Sequence, residues 1–311
     1  MRVLNLVTNP RARFFVQQVR ALGERGVDGA TISVPGEYRG NGEGRSALDY
    51  ARFYPRVLRA SLGSFDLVHA NSGLTAPHAL AQPTRPVVLS LWGTDLLGEY
   101  GWVSRRCARH VDAVVVMSEA MADALDVPAH VIPHGVDLDR FRPAPAAEAR
   151  DELGWDPDAR HVLFPYPTAR DVKDYPRAER VVAAARDRLG DPVELHAVTG
   201  VPHDRVSRYM NASDCLLVTS KREGSPNAVK EALACNLPVV ATPVGDVPDR
   251  LDGVTPSSFA DTDAGLADGL VDVLERRERS NGREAAREIS VERTSARLRD
   301  VYREVTRTAR E

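Results

Sequence analysis

The feature that most constrains this chain is a series of short segments that are apolar at nearly every residue, separated by longer stretches with helical spacing. Val3 to Val7, Ala30 to Val34, Asp66 to Ala70, Pro86 to Leu91 and Ala113 to Met117 are such segments. A strand with one wet face alternates polar and apolar residues, whereas one buried on both faces does not alternate. Helical stretches such as Phe14 to Arg25 fall between them. The first half therefore predicts a parallel sheet built from βα units. Prolines and alanines interrupt the pattern at 141–147, and then it restarts. Strands are expected at His161 to Phe164, Glu194 to Val198, Asp214 to Val218 and Pro238 to Ala241. Helices are expected at Pro176 to Leu189, Asp204 to Met210, Pro226 to Ala234, Asp263 to Arg277 and Val291 to Thr308. Two doubly wound α/β units predict ligand binding in the crevice between them, at the carboxyl ends of the strands. The expected domains are 1–143 and 144–292, with a helix over about 293–311 packing back towards the first.

Composition narrows the function classes. With 41 basic and 44 acidic residues in 311 and a net charge of −3, the chain lacks the clustered basic excess that a nucleic-acid partner needs. Cys107, Cys215 and Cys235 have no metal-ligand spacing and cannot all pair, which fits a reducing cytoplasm. The apolar run from Val3 is broken by Asn5 and ended by Asn9-Pro10-Arg11, too short for a secretory h-region. No apolar run approaches the ~20 residues of a membrane span. A membrane surface remains open. The stretch Arg52 to Leu62 mixes cations and apolar residues at helical spacing, as a lipid-docking helix or a half-buried cleft helix would. The glycine-rich stretch from Gly36 to Gly44 reads as a surface loop rather than a phosphate loop, because no Lys-Ser/Thr follows it.

Chemistry concentrates between Ser220 and Asp246. A buried strand, Cys215 to Val218, leads through Glu223-Gly224-Ser225-Pro226-Asn227 into a helix. Ser225 suits an N-cap and Pro226 the first helical position. Free amides at that helix start, with its dipole, make an anion site fit for a phosphate. Glu223 lies just before the helix and Glu231 about two turns along it. The two carboxylates can accept hydrogen bonds from different parts of one hydroxyl-rich ligand.

These residues resemble glycosyltransferase family 4. Glu223 to Glu231 matches its E-x7-E signature. Ala232-Leu233-Ala234-Cys235-Asn236-Leu237-Pro238-Val239-Val240-Ala241 is similar to its EAxAxGxPVVA run, and Ile132-Pro133-His134-Gly135-Val136-Asp137 to its IPNGVD segment. The resemblance covers nearly the whole chain. It implies the GT-B fold, two Rossmann-like domains facing each other across a cleft, and a retaining, metal-independent glycosyltransferase without a cofactor. The co-substrate would be a nucleotide-diphosphate sugar, bound by the second domain. The acceptor, a glycan, a lipid-linked or a small molecule, would bind the first. Polysaccharide or glycoconjugate synthesis would then run in the cytoplasm or at the inner membrane face. By the same resemblance Glu231 holds the donor ribose, Glu223 a hydroxyl of the transferred sugar, and the backbone of Gly224, Ser225, Pro226 and Asn227 sugar or phosphate. The nucleobase lies against backbone at about Thr199 to Pro202, Val201 included. Arg170 and Lys173 stand where the family places cations for the leaving group. Their spacing is shorter than usual, and Lys221 and Arg222 are substitutes.

The first domain departs from the family. Thr8-Asn9-Pro10-Arg11-Ala12-Arg13 replaces a glycine-rich turn, and Arg11 and Arg13 either reach a phosphate or mark a remodelled loop. Trp92-Gly93-Thr94-Asp95 stands where the family has His-Gly-x-Asp. Trp92 can stack on a sugar but cannot transfer a proton. Asp95 is either an acceptor-side carboxylate or a turn residue. His134 joins the cleft residues by its place in the resemblance. Asp137-Leu138-Asp139 spells a metal motif of another fold but lies beside the linker and reads as structural. His69, His78 and His134 share no metal spacing. Two rivals remain. A catalytically silent nucleotide-sugar binding protein is compatible with Trp92, and a dinucleotide dehydrogenase lacks any G-x-G-x-x-G.

Overall fold

The computed structural model describes residues 1–36 and 45–309. The glycine-rich stretch beyond Gly36 lies outside the described residues. The chain forms two compact units, Met1–Gly135 with Val291–Glu311, and Val136–Ser290.

The first unit is built on a parallel sheet of β1 (Arg2–Val7), β2 (Asp28–Ser33), β3 (Leu67–Asn71), β4 (Val87–Ser90), β5 (Ala113–Val116) and β6 (His130–Val131), in the order β2-β1-β3-β4-β5-β6. Strands β3, β4 and β5 are buried at every residue, as continuous apolar runs require. β2 departs from that expectation. It is an edge strand with polar Asp28, Thr31 and Ser33, and no residue of it is fully buried. The second unit has β7 (Arg160–Phe164), β8 (Val193–Ala197), β9 (Cys215–Val218), β10 (Val239–Ala241) and β11 (Ser258–Phe259), in the order β11-β10-β9-β7-β8. β8 is again a partly exposed edge. The strand order reverses between β7 and β9, where open α/β sheets bind ligands beyond the strands' carboxyl ends.

The helix Val291–Thr308 belongs to the first unit. Its period places Leu298, Val301, Tyr302 and Val305 in that unit's core. The Tyr302 hydroxyl is hydrogen-bonded to His69 Nδ1 at 2.6 Å, and His69 Nε2 lies 2.7 Å from Ser90 Oγ. Burial pushes the His69 imidazole down to about 3, so the ring is neutral, with one nitrogen accepting from a hydroxyl and the other donating to one. Gly135 is fixed by the same helix. A Cβ there would lie 2.5 Å from Thr294 Oγ1 and from Val291 Cα.

The first unit ends at Gly135 rather than at 143. Past that residue the Val136 amide donates to the Ile289 carbonyl, and Phe141, 1% exposed, enters the second unit's core. The Arg283 guanidinium clamps the segment through the carbonyls of Leu138 and Phe141. Apolar side chains inside the linker found a core, which proline content alone does not reveal. Asp137 Oδ1 accepts from the amides of Asp139 and Arg140, a local turn that occupies the D-x-D carboxylate.

Residues Ala47–Ser61 form a helix that buries Phe53 and Val57. Its other side exposes Tyr54, Leu58 and the following Leu62, beside Arg52, Arg56 and Arg59. No helix among the described residues is long and apolar enough to cross a membrane. All three cysteines are buried and free.

Tyr302→Phe should lower stability by about 1–3 kcal/mol, because it leaves a buried imidazole nitrogen without its hydrogen-bond partner. Thermal unfolding followed by circular dichroism checks this, and an unchanged midpoint would contradict the role given to the hydroxyl.

Candidate active site

The loops that leave β7 and β9 are tied together. Thr219 Oγ1 donates to the carbonyls of Lys173 and Asp174, at 2.9 and 3.0 Å, and the Lys221 amide donates to the Val172 carbonyl. This seats Lys173, only 5% exposed, against Glu223. The amine donates to Glu223 Oε1, which also accepts from Ser220 Oγ at 2.8 Å. It lies 3.7 Å from the centre of the Tyr166 ring, within cation–π range. Burial pushes the Lys173 amine below its usual range, and Glu223 opposes that shift.

Tyr166 lies in the field of both glutamates. Burial, then the charges of Glu223 and Glu231, hold its hydroxyl well above the ordinary tyrosine range. That hydroxyl is buried with no hydrogen-bond partner among the described residues. Glu231 lies on the helix Asn227–Ala234 and accepts from His203 Nε2 at 2.8 Å. Arg140 Nη1 donates to His203 Nδ1 at 3.0 Å. A guanidinium has no lone pair to offer, so the histidine proton sits on Nε2 and points at Glu231.

The helix begins one residue later than expected. Pro226, not Ser225, is at the N-cap, and it makes no side-chain cap. Ser225 instead donates to Asp246 Oδ2 at 2.8 Å, an oxygen shared with Arg250 Nε. A nearly fully buried carboxylate competes better for the hydroxyl than the helix amides do. The first amides of the helix thus keep no side-chain cap, which favours an anion there. The turn is held from behind by Gly245, at φ +59°. A Cβ on it would lie 2.4 Å from the Gly224 carbonyl oxygen. Asn236, where the family's run has glycine, takes φ +54°, which asparagine tolerates. Lys230, 1% exposed, is pushed down to about 8 by burial, with Asp246 opposing.

Arg170 does not pair with Lys173. It is exposed, and its charge reaches Lys173 and Tyr166 through the local field. Lys221 is bound to Asp171 at 2.7 Å. Thr199 is exposed and Val201 half-buried on the loop after β8, which ends at the helix carrying His203.

In the first unit, Trp92, His134 and Phe14 form an aromatic cluster. Phe14 stacks on His134 at 4.0 Å and meets Trp92 edge-on at 4.7 Å. Asp95 Oδ1 accepts from the amides of Trp92 and Gly93, and Oδ2 from the Gly73 amide. Both oxygens hold backbone, which is the turn reading. Arg13 is exposed at the start of the helix Arg13–Gly23. Sequence reasoning missed Tyr166, His203, Ser220 and Asp246. Ser220 and Asp246 directly follow or close matched segments, but Tyr166 and His203 carry no motif.

Residues 7–140 match the family described as Glycosyltransferase Family 4, and residues 172–276 match Glycosyl transferases group 1. D-inositol 3-phosphate glycosyltransferase 2 of Catenulispora acidiphila is 32% identical over 213 residues, covering 54% of this chain and 48% of that protein. The chain spans about half the length of the curated relatives it matches. Sucrose-phosphate synthase of Thermosynechococcus elongatus shares the fold with a TM-score of 0.77 at 19% identity, over 99% of this chain and all of that one. HepE of Anabaena, solved with UDP and glucose, gives a TM-score of 0.67 at 15% identity, over 97% and 99% of the two chains. With both halves matched and two parallel sheets in the GT-B arrangement of strands and helices, the chain belongs to the family-4-like glycosyltransferases.

Proposed function

We propose that this chain transfers a sugar, with retention, from a nucleotide-diphosphate sugar to a hydroxyl of a glycan, lipid-linked or small-molecule acceptor. The carrying observation is the pair of glutamates around the start of the helix Asn227–Ala234. Each is oriented by its own donor, and both are felt by Tyr166. Glu231, held by His203, accepts from the donor ribose. Glu223, held by Lys173 and Ser220, accepts from a hydroxyl of the transferred sugar. The backbone of Gly224 to Asn227 and the capless helix start take the diphosphate, and the loop with Thr199 and Val201 takes the base. The binding of UDP and glucose by HepE supports a donor of this class.

In the reaction the bond from the anomeric carbon to the phosphate oxygen breaks, and the acceptor oxygen bonds to that carbon on the same face. The acceptor proton passes to the departing phosphate. Arg170 and Lys173 offset the charge that grows there. Trp92, with Phe14 and His134, forms an apolar wall for the acceptor side, and Arg13 adds a cation at that unit's surface. The transfer itself uses no metal. Trp92 also favours the second reading, a silent nucleotide-sugar binding protein, because an indole cannot act as acid or base. The exposed Tyr54, Leu58 and Leu62 beside three arginines suit peripheral contact with the inner face of an anionic membrane, where a lipid-linked acceptor would lie.

Nucleotide sugars that raise the melting temperature identify the donor, and transfer or hydrolysis of that donor separates the enzyme from the silent binder. Glu231→Ala should weaken donor binding. Glu223→Ala should lower turnover more than nucleoside-diphosphate affinity, and equal losses in both variants would contradict the division of roles. Arg170→Ala should cost ~10²–10³ in turnover. A near wild-type rate would move the leaving-group cation elsewhere. Transfer should persist in EDTA, and loss restored by Mn²⁺ would end the metal-free reading. Vesicle flotation should show binding to anionic but not neutral lipid, reduced in Leu58→Glu with Leu62→Glu. Equal flotation of that variant would remove the helix from the contact.

A further inference from the structure

We propose that His161, His196 and Glu194 bind a divalent cation of the zinc class. The site lies at the β7–β8 edge of the second unit, apart from the residues assigned to the donor. Strand register brings the three together. His161 pairs with Glu194 across the parallel ladder, and Glu194 and His196 are two apart on β8, so they share a face.

Three ligand atoms form a triangle. His161 Nδ1 and His196 Nε2 are 2.9 Å apart, and Glu194 Oε2 lies 3.6 and 3.3 Å from them. A point about 2.05 Å from all three exists, roughly 0.75 Å above their plane, at the Zn–N and Zn–O distances of protein sites. The ligand–metal–ligand angles there are about 90°, 107° and 123°, a distorted tetrahedron with one position left for water. Two imidazoles and a carboxylate suit zinc rather than magnesium or calcium, which prefer all-oxygen shells.

The protons also fit. His161 Nε2 donates to the Asp156 carbonyl at 2.8 Å, which fixes its tautomer and leaves the Nδ1 lone pair towards His196. Without a cation, the His196 Nε2 proton fills the gap between the two nitrogens. A cation takes that place when His196 carries its proton on Nδ1 instead, so the ring stays neutral in both states. Trp155 stacks on His196 at 3.6 Å and keeps one side dry, whereas Glu194 is half-exposed and leaves an entry. The cation would staple edge strand β8 to β7. It is a structural site, independent of the transfer reaction.

The test uses the untagged full chain after chelator treatment, titrated calorimetrically with Zn²⁺ and, separately, with Co²⁺ by visible absorption. One Zn²⁺ per chain should bind at micromolar or lower concentration, Co²⁺ should show the intense bands of a tetrahedral site, and millimolar Mg²⁺ should not compete. Glu194→Gln and His196→Gln, shown folded by circular dichroism, should each weaken binding by ~10-fold or more. His110→Gln, at an exposed histidine outside the site, should not change it. Absence of saturable binding, unchanged affinity in either site variant, or equal weakening in His110→Gln would overturn the proposal. None of these readouts depends on sugar transfer, so failure here leaves the proposed activity standing, and the reverse holds too.

Discussion

An ammonium group as buried as that of Lys173 has to be neutralised where it lies, and Glu223 is the group that does so. Removing one partner of a buried pair costs about 3–5 kcal/mol, because the other charge is left without water or a counter-ion. The pair therefore holds the loop after β7 against the loop after β9, at the place where the strand order reverses. Thr219 shares its hydroxyl proton between two carbonyls across the same seam. Ser220 takes another lone pair of the shared Glu223 oxygen. The charge of that carboxylate also reaches Tyr166 through the local field.

Glu231 is oriented differently. Its partner His203 receives a hydrogen bond from Arg140, a residue of the segment between Gly135 and the second unit's first helix. Pro226 closes the loop that starts the helix, and Ser225 is spent on Asp246. The anion-binding character of the turn thus comes from a cap left unmade. Asp95 in the first unit shows the opposite economy. A carboxylate with three backbone amides on its two oxygens fixes a loop and has little capacity left for a substrate.

The first unit's core includes a segment brought in from outside its main run of sequence, and the second unit's core begins earlier than the proline-rich stretch suggests. The first takes its last helix from beyond residue 290, and a hydrogen-bonded Tyr302–His69–Ser90 chain anchors it. The second starts at Val136, and buries Val136 and Phe141 at and just before the proline-rich stretch. In both cases buried apolar side chains, not chain order, decide membership.

The strand-and-helix order was legible in the residues, because buried strands and amphipathic helices leave periodic signals that need no tertiary information. The central strands β3, β4, β5, β7 and β9 and the helix Val291–Thr308 are such elements. Two-residue β6 and β11 were not legible, since so short a strand has no period. Glu223 and Glu231 were readable because their spacing sits in an ordered run of matched residues. His203, Tyr166 and Asp246 were not, because hydrogen bonding between distant segments leaves no local trace. The same holds for His161, Glu194 and His196, which become neighbours only through the register of β7 on β8. Sequence determined which elements form and which helix start bears the two carboxylates. The tertiary structure alone decided which partner each charge would find, because a buried charge is paired by whatever the fold brings within a few ångströms.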